Sequence, residues 1–439
     1  MGLLTARVLQ RLVLAAAMLT VAAAGAAAET TVKWLHIEAN PAQVKIWEEV
    51  ARTYEAAHPG VKIEMQFLEN EAYKAKLPTI LQSKDRPHII YSWAGGVLKS
   101  QIEAGVLEDI TDQVKGFSDT ITPAALAAFS QNGRVYGLPI ALSQVGFLYN
   151  MDLMAKAKVD ATTIKTWDDL LAAVKALKAA GVTPIVVGGA DKWPLHFYWT
   201  HLAVRIGGKA AFDAALRGEN GGFAGETFQK SGELFEQLVD LQPFQNGFLG
   251  FKNPQAVGYF GDGKAAMTLA ISTTYHLQRA LAADKVGLGE DKIGWFDFPV
   301  VPGGKGEPSD TLGGITGWLI TKSAPKEAVD FLKFFISRDV QTRLAAGNFL
   351  IPVVKGADAG LNNSFMKRIA ENLAKSNYHQ NFYDQSLGPS VGRVVNDAAA
   401  EIAGGSMTPQ QAATAIEAAW KQGNCRCADK RQARRRSPP

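Results

Sequence analysis

The sequence is almost free of cysteine: only Cys425 and Cys427 occur among its 439 residues, both close to the C-terminal end. A disulfide between two cysteines separated by one residue would be strained. Two thiols alone also make a poor metal site. We therefore expect a fold that does not depend on disulfides.

The body of the chain also lacks a basic cluster. The formal charge of +4 comes from the two ends, because residues 1–28 carry +2, residues 425–439 carry +5 and residues 29–424 carry −3. A face that binds phosphates needs clustered lysine and arginine. We therefore expect no nucleic-acid partner. We interpret residues 425–439, where the composition changes abruptly after a patterned helix, as a disordered basic tail.

A long apolar run occurs only near the N-terminus. Arg7 and Arg11 precede the apolar stretch Leu12–Ala24, and small residues follow as far as Ala28. The stretch is shorter than the roughly 20 residues that a membrane-spanning helix needs. It therefore predicts a cleaved export signal over residues 1–28 and a periplasmic mature protein. No cysteine lies near the predicted cleavage site, so we expect no lipid anchor there.

Recognisable catalytic motifs are missing too. Gly258–Lys264 has the glycine and lysine spacing of a phosphate-binding loop, but a strand-like stretch follows it where that loop requires a helix. The seven histidines are scattered, and none belongs to an H-E-x-x-H motif. No G-x-S-x-G elbow occurs. We expect neither enzymatic activity nor a cofactor nor a metal site.

The pattern that is present is an alternation of strand-like and helical segments. Its first round contains the strands Thr31–Ile37, Val61–Phe67 and His88–Tyr91, with helices beginning at Pro41 and Glu71. Such alternation predicts right-handed βαβ units, with mostly parallel sheets covered by helices on both faces. The fold class that we expect is therefore α/β.

The alternation restarts in the middle of the chain, and the chain is too long for one compact core of ordinary size. Both observations indicate two lobes. We predict lobe 1 over residues 29–144 with 311–355 returning to it. Lobe 2 is predicted over residues 145–310 with 356–424 added to it. Thr183–Val187 is expected to form a strand of the second lobe.

Polar and aromatic residues gather at the predicted strand ends, which is where open α/β sheets bind ligands. Flat aromatic rings match the apolar C–H faces of a sugar, while carboxylates, amides and hydroxyls match its hydroxyl groups. Trp47 and Trp167 lie in helical patterns and are expected in the core. The candidate binding residues from this pattern are His36, Glu38, Trp93, Trp193, Thr273, Thr274, Tyr275 and Thr316.

Several short segments also follow one another in a specific order. In this order they resemble the extracellular solute-binding proteins of bacterial carbohydrate ABC importers, the group that includes maltose-binding protein. The resemblance covers nearly all of residues 29–424. The segments are Trp47–Glu49, His58–Val61, Pro87–Ile90, Ala104–Leu107, Tyr136–Pro139, Leu148–Asn150, Gly263–Met267, Gly313–Gly314 and Ala328–Leu332.

The resemblance implies two α/β lobes joined by a hinge of crossing strands, with a ligand cleft between the lobes. The strand Gly137–Asn150 would cross the hinge, and Ser143 or Gln144 would line the cleft. Tyr383 and Asp384 belong to a stretch that approaches the ligand in some relatives. The family also places ligand contacts at His36, Glu38, Trp93, Trp193 and Thr273–Tyr275.

Two departures from the family pattern bear on the ligand. His88 replaces the usual acid after Pro87, and Ser272, Thr273 and Thr274 stand where many relatives have a tryptophan. The second departure indicates a smaller or differently oriented sugar than a long maltodextrin.

The function implied by the resemblance is capture of a sugar or short oligosaccharide by hinge closure. The carrier would be a monomer that delivers the sugar to the membrane permease subunits of an ABC importer. One alternative is a carrier of another solute, such as a polyamine or a glycerophosphodiester. A polyamine pocket would need several carboxylates, whereas the candidates include only Glu38 and Asp384. The other alternative is a periplasmic glycoside-active enzyme.

Overall fold

The computed structural model describes residues 29–436, with side chains as far as residue 423. The predicted export signal and the last three residues lie outside this range. The strands described are β1 (Thr30–His36), β2 (Val61–Phe67), β3 (Ile89–Trp93), β4 (Ser130–Gln131), β5 (Arg134–Val135), β6 (Gly137–Asn150), β7 (Met267–Ile271), β8 (Ile293–Phe296), β9 (Thr311–Ile320), β10 (Ile351–Pro352) and β11 (His379–Asn381).

Nine of these strands form one sheet, and β4 and β5 pair separately with each other. Within the described range, no helix is both long and apolar enough to cross a membrane. The helices are α1 (Pro41–Ala57), α2 (Asn70–Ile80), α3 (Gly96–Glu103), α4 (Pro123–Ala128), α5 (Met151–Lys156), α6 (Trp167–Ala179), α7 (Trp193–Leu216), α8 (Glu226–Asp240), α9 (Asn253–Gly261), α10 (Thr274–Leu281), α11 (Lys326–Phe335), α12 (Arg338–Ala346), α13 (Ser364–Lys375), α14 (Tyr383–Ser386), α15 (Pro389–Ala403) and α16 (Pro409–Arg436).

Lobe 1 is the part of the molecule built on β1, β2, β3 and β10. β1 lies between β2 and β3 and is parallel to both, so the carboxyl ends of these three strands meet at one edge. Trp34 of β1 is 1% exposed and stacks on Trp47 of α1 at 5.3 Å. Trp47 therefore lies in the core, as its helical pattern predicts.

Lobe 2 is the part built on β7 and β8. In its core the Phe298 ring stacks on Trp167 at 5.7 Å and on Phe147 at 5.9 Å. The stretch predicted as the strand Thr183–Val187 is not a strand, because only Ile185 forms bridges, one to Phe244 and one to Met267.

Two long strands join the lobes. The first half of β6 pairs with β9 in lobe 1, and its second half pairs with β7 and β8 in lobe 2. The predicted crossing of the hinge by Gly137–Asn150 and the two-lobed α/β class are thereby confirmed. The expectation of mostly parallel pairing is wrong, because β9 runs antiparallel to both β3 and β6.

The last helix, α16, continues into the segment predicted to be a disordered tail. Its backbone is helical as far as Arg436. No proline occurs between residues 425 and 436, and alanine, lysine, arginine and glutamine are strong helix formers. The helix therefore does not end at the change in composition after residue 424.

The contact between β6 and β9 at the hinge requires glycine at position 313. A Cβ atom there would lie 1.8 Å from the Ser143 carbonyl oxygen and 2.7 Å from the His379 ring. We expect Gly313→Ala to lower the free energy of unfolding by about 2–3 kcal/mol, because the strands must separate to admit the methyl group. Urea unfolding measures this. Gly250→Ala, where no atom would lie within 4 Å of the added Cβ, is the control. Equal stability of the two variants would contradict the argument.

Candidate functional site

A cavity of about 280 Å³ lies between the two lobes. Lobe 1 contributes residues that follow the carboxyl ends of β1, β2 and β3, because these strands are parallel and end at one edge. Lobe 2 contributes the N-terminal turn of α7 and residues near the start of α10. The volume lies at the lower end of ordinary ligand pockets, which is consistent with a compact ligand.

Four tryptophans line the cavity: Trp47, Trp93 and Trp318 from lobe 1 and Trp193 from lobe 2. Trp47 and Trp318 are buried, whereas Trp93 and Trp193 are partly exposed. Trp93 ends β3, and its ring meets Tyr91 edge-on at 5.2 Å. Trp193 begins α7, and its ring meets Phe197 edge-on at 5.4 Å. The preceding residue, Lys192, has a φ of 61°, in the region that favours glycine. Such strained backbone is typical of residues that position a functional side chain.

Glu38 is the carboxylate that follows β1. Its Oε1 accepts a hydrogen bond of 2.8 Å from the Asn40 backbone N–H. The Asn40 side chain in turn accepts from the Ala42 N–H at the start of α1. Burial raises the pKa of Glu38 to about 7 despite these backbone contacts. Burial and, to a smaller extent, the charge of Glu38 raise the pKa of the neighbouring Tyr91 phenol. The site therefore holds a weakly acidic carboxyl next to a neutral phenol.

Stability should depend on pH through Glu38. The pKa of Glu38 is about 7 in the folded protein and 4.5 ordinarily. The contribution of this carboxyl to the free energy of unfolding is therefore complete below about pH 4.5 and is lost as the pH rises through about 7. The adjacent His36 acts oppositely, because burial lowers its pKa from 6.5 to about 4. Between pH 5 and pH 8, we expect the free energy of unfolding of Glu38→Gln to rise by about 2 kcal/mol relative to that of the wild type. Urea unfolding at both pH values measures it, and parallel pH profiles would contradict it.

Several charged residues lie where α2 of lobe 1 approaches lobe 2. Glu69 caps α2 by accepting from the Glu71 N–H at 3.0 Å. Lys74 bonds Glu71 at 3.0 Å and lies 5.6 Å above the Trp93 ring. Asp191 of lobe 2 accepts a 2.6 Å hydrogen bond from the Asn253 backbone N–H. Burial, with a smaller effect of the Glu69 charge, raises the pKa of Asp191. The two lobes thus contribute carboxylates, Glu69 and Asp191, to the same cavity as Lys74.

His196 and Asp384 form the deepest polar pair of the cavity. His196 Nε2 lies 3.8 Å from Asp384 Oδ1, and both residues are at most 7% exposed. Burial lowers the pKa of His196, although the charge of Asp384 opposes this. Asp384 Oδ2 accepts hydrogen bonds from Gln385 and Asn396, each of 3.1 Å. A neutral imidazole therefore lies beside a carboxylate with one oxygen still available.

Six of the predicted binding residues line this cavity. Thr316 lies on β9 directly opposite Trp93 of β3. Thr273 precedes α10, and Ser143, which the resemblance offered as an alternative to Gln144, lies at the hinge. The six are Glu38, Trp93, Trp193, Thr273, Thr316 and Asp384. Their contacts with a ligand remain a prediction.

Two predicted residues near the hinge and β1 lie outside the cavity lining. Gln144 is 2% exposed, and its amide donates a 2.8 Å hydrogen bond to Asp297. It alternates with Ser143 along the strand, so only one of the two faces the cavity. His36 is 4% exposed, lies edge-on to Trp47 at 5.4 Å and accepts from the Glu38 backbone N–H. Its role is to support the turn that carries Glu38.

Three more predicted residues are directed away from the cavity by helix geometry. Thr274 is buried at the start of α10, and the Tyr275 ring stacks on Phe365 at 4.4 Å. The Tyr275 phenol accepts a 2.8 Å hydrogen bond from Asn363. Tyr383 is 1% exposed and stacks on Phe212 at 4.7 Å inside lobe 2. Successive helical residues point in different directions, so Asp384 reaches the cavity while Tyr383 does not.

Some cavity residues were not found by the sequence reasoning. Tyr91 ends the predicted strand His88–Tyr91, and Lys74 falls within the helix predicted from Glu71, but neither is among the predicted binding residues. Glu69, Asp191 and His196 are not among them either. Glutamate is not one of the preferred N-cap residues, so the position of Glu69 before a helix gives no clear signal. No local signal indicates Asp191 or His196, because the cavity contains them only once the lobes are in place.

Two lobes joined by crossing strands, with one cavity lined by both, define a two-lobed ligand-binding protein. The family model described as bacterial extracellular solute-binding protein matches residues 38–342. The chain belongs to this family, as the resemblance predicts.

Individual relatives agree with this assignment. An uncharacterized ABC transporter extracellular-binding protein of Pyrococcus horikoshii is 29% identical over 182 residues, which are 40% of this chain and 42% of the relative. The chain's matches span about half the length of the first curated relatives.

Solved structures match over nearly their whole length. A chitin oligosaccharide binding protein has a TM-score of 0.82 at 25% identity, covering 90% of this chain and 99% of that chain. A structure from a study of xylan utilization by Caldanaerobius polysaccharolyticus has a TM-score of 0.81 at 25% identity, covering 88% and 99%.

Proposed function

We propose that the protein captures a sugar or short oligosaccharide between its lobes and delivers it to the permease subunits of an ABC importer. The observation that carries the proposal is the pair Trp93 and Trp193, contributed by opposite lobes to one cavity. Their rings suit the two apolar faces of a sugar ring, while Glu38, Thr316 and Asp384 suit its hydroxyls. The similarity to a chitin oligosaccharide binding protein and to a structure from a study of xylan utilization supports it.

The proposed mechanism is closure about the β6–β9 hinge. A ligand that contacts both tryptophans does so only when the lobes are close together, so its binding energy favours the closed form. The closed surface is then what the permease recognises. We retain the predicted division into 29–144 with 311–355 and 145–310 with 356–424, and we propose a monomer exported to the periplasm by residues 1–28. The bound sugar leaves unchanged.

A polyamine carrier is the second candidate. Glu69 and Asp191 join Glu38 and Asp384 in the cavity, so it holds the several carboxylates that a polyamine pocket needs. The two tryptophans can stack on the C–H faces of a sugar, and a tryptophan face also attracts an ammonium group, so ligand binding decides between the two candidates.

Thermal unfolding of the purified protein tests the proposal. The panel contains monosaccharides, oligosaccharides, spermidine, putrescine and glycerophosphodiesters. Selective binding to the folded state raises the unfolding midpoint, with about 2.7 kcal/mol of added stability at a ligand concentration 100 times the Kd. We expect a sugar to raise it and to be recovered unchanged by chromatography. A shift with spermidine alone would overturn the sugar proposal, and a cleaved sugar would show an enzyme.

A further inference from the structure

The carboxylates of the cavity outnumber its cations. Glu38, Glu69, Asp191 and Asp384 line it, whereas Lys74 is the single lysine or arginine among the described lining residues. The Lys74 ammonium already bonds Glu71 at 3.0 Å, so it offers little uncompensated positive charge to a ligand. The lining therefore carries an excess of negative charge.

Each of these carboxylates uses one oxygen for the protein and leaves the other for a ligand. Oε1 of Glu38 and Oδ2 of Asp191 accept from backbone N–H groups, at 2.8 and 2.6 Å. Oε2 of Glu69 accepts from two N–H groups of its own helix, and Oδ2 of Asp384 from two side-chain amides. The second oxygen of each accepts no hydrogen bond from the described residues. The cavity is thus rich in acceptors and suits a ligand rich in hydroxyl donors.

His196 provides an independent indication of a ligand. It is 1% exposed and lines the cavity. Its ring nitrogens lie near the Trp193 backbone and the Asn396 side chain, but neither contact has the geometry of a hydrogen bond. Asp384 is too far away, at 3.8 Å, for a hydrogen bond. Buried polar groups in proteins nearly always have partners. A ligand hydroxyl that reached both His196 and Asp384 would supply the missing one.

We propose that the cavity selects its sugar by charge, admitting neutral sugars and rejecting those that carry a carboxylate or a phosphate, with Glu69 and Asp191 as the selecting residues. The inference rests on the proposed function and narrows its substrate class. Glu69 of lobe 1 and Asp191 of lobe 2 line the same cavity from opposite lobes. An anionic sugar would add a third negative charge at the place where the lobes must come together.

The test compares matched ligands by calorimetry at pH 7.5 and low salt. The neutral probes are glucose, galactose, xylose, cellobiose and xylobiose. The acids are glucuronate, galacturonate and cellobiouronate, and the neutral controls of the same shape are glucuronamide and galacturonamide. At the effective dielectric of protein sites, one carboxylate about 6 Å from the ligand charge disfavours it by roughly 100-fold. We therefore expect each acid to bind at least about 100-fold more weakly than its amide or neutral parent.

Two outcomes would overturn the inference while sugar binding stands. The first is an acid that binds within tenfold of its neutral parent. The second is rejection of acid and amide alike, because shape and not charge would then decide. If no sugar binds, the proposed function fails and this inference fails with it.

Two variants test whether Asp191 is responsible for the discrimination against acidic sugars. Asp191→Asn keeps an oxygen for the Asn253 N–H and removes one charge, so we expect the ratio of neutral to acid affinity to fall about tenfold or more. Asp168→Asn, which removes an exposed carboxylate from the first turn of α6, is the matched control and should leave the ratio unchanged. Equal ratios in Asp191→Asn and Asp168→Asn would show that Asp191 is not a selecting residue.

Discussion

Replacement of Trp93 or Trp193 by alanine is expected to weaken sugar binding by roughly 30- to 1,000-fold, the effect of removing a buried aromatic anchor of about 2–4 kcal/mol. Each ring comes from a different lobe, so each variant removes one face of the proposed sandwich. Trp93→Phe and Trp193→Phe should recover much of the lost affinity, because a smaller ring can still stack. Calorimetric titration with the sugar found in the thermal panel measures both pairs.

A tryptophan outside the cavity serves as the control. Trp420 lies in α16 and meets Phe223 edge-on at 5.8 Å, away from the cavity lining. Trp420→Ala should lower the unfolding midpoint and leave the affinity within twofold of the wild type. If Trp93→Ala and Trp193→Ala also bound within threefold of the wild type, ring stacking would not be the basis of recognition.

Arg205→Ala is expected to lower the free energy of unfolding by about 3–5 kcal/mol. Arg205 is 2% exposed, and its guanidinium donates to the backbone carbonyls of Phe298, Glu307 and Asp310 at 2.6–3.2 Å. These carbonyls belong to the connection from β8 to β9, so the side chain holds in place the loop that leads into the crossing strand. Its removal leaves three carbonyls without their donor.

The shape of the guanidinium should matter as well as its charge. Arg205→Lys has a single donor group on a flexible stem and cannot span three carbonyls, so we expect it to recover less than half of the lost stability. Arg217→Ala removes an exposed arginine that pairs with Glu219 at 2.7 Å, and should change the free energy of unfolding far less than Arg205→Ala does. Urea unfolding measures all three variants. Similar losses for Arg205→Ala and Arg217→Ala would contradict the role assigned to the buried network.

Specific elements of the fold could be predicted from the sequence because their signals are local. The strand Val61–Phe67 has the predicted bounds and the first helix begins at Pro41 as predicted, since apolar periodicity and flanking turn residues mark both. The helical pattern that begins at Glu71 extends to Lys84 in the sequence, whereas the helix runs from Asn70 to Ile80. Pro78 lies in its last turn and cannot donate a backbone hydrogen bond, which is consistent with an early end.

The pairing of strands could not be predicted to the same degree. The stretch Thr183–Val187 has the composition of a strand, but only Ile185 forms bridges, one to Phe244 and one to Met267. The local pattern of the sequence is strand-like only over Gly146–Asn150, whereas β6 begins at Gly137. Its first half is a strand because it pairs with β9, which is far away in sequence. Such pairing depends on segments that a local pattern does not contain.

By itself, the sequence determined the α/β class, the two-lobed family and the strand ends at which Glu38 and Trp93 meet the cavity. These follow from local periodicity, from the order of short motifs and from the rule that parallel strands end at one edge. Only the tertiary structure decided that Tyr383 and Gln144 lie outside the cavity while Asp191 and His196 line it. The physical reason is that side-chain direction within a turn, and the approach of one lobe to the other, depend on contacts between residues far apart in the chain.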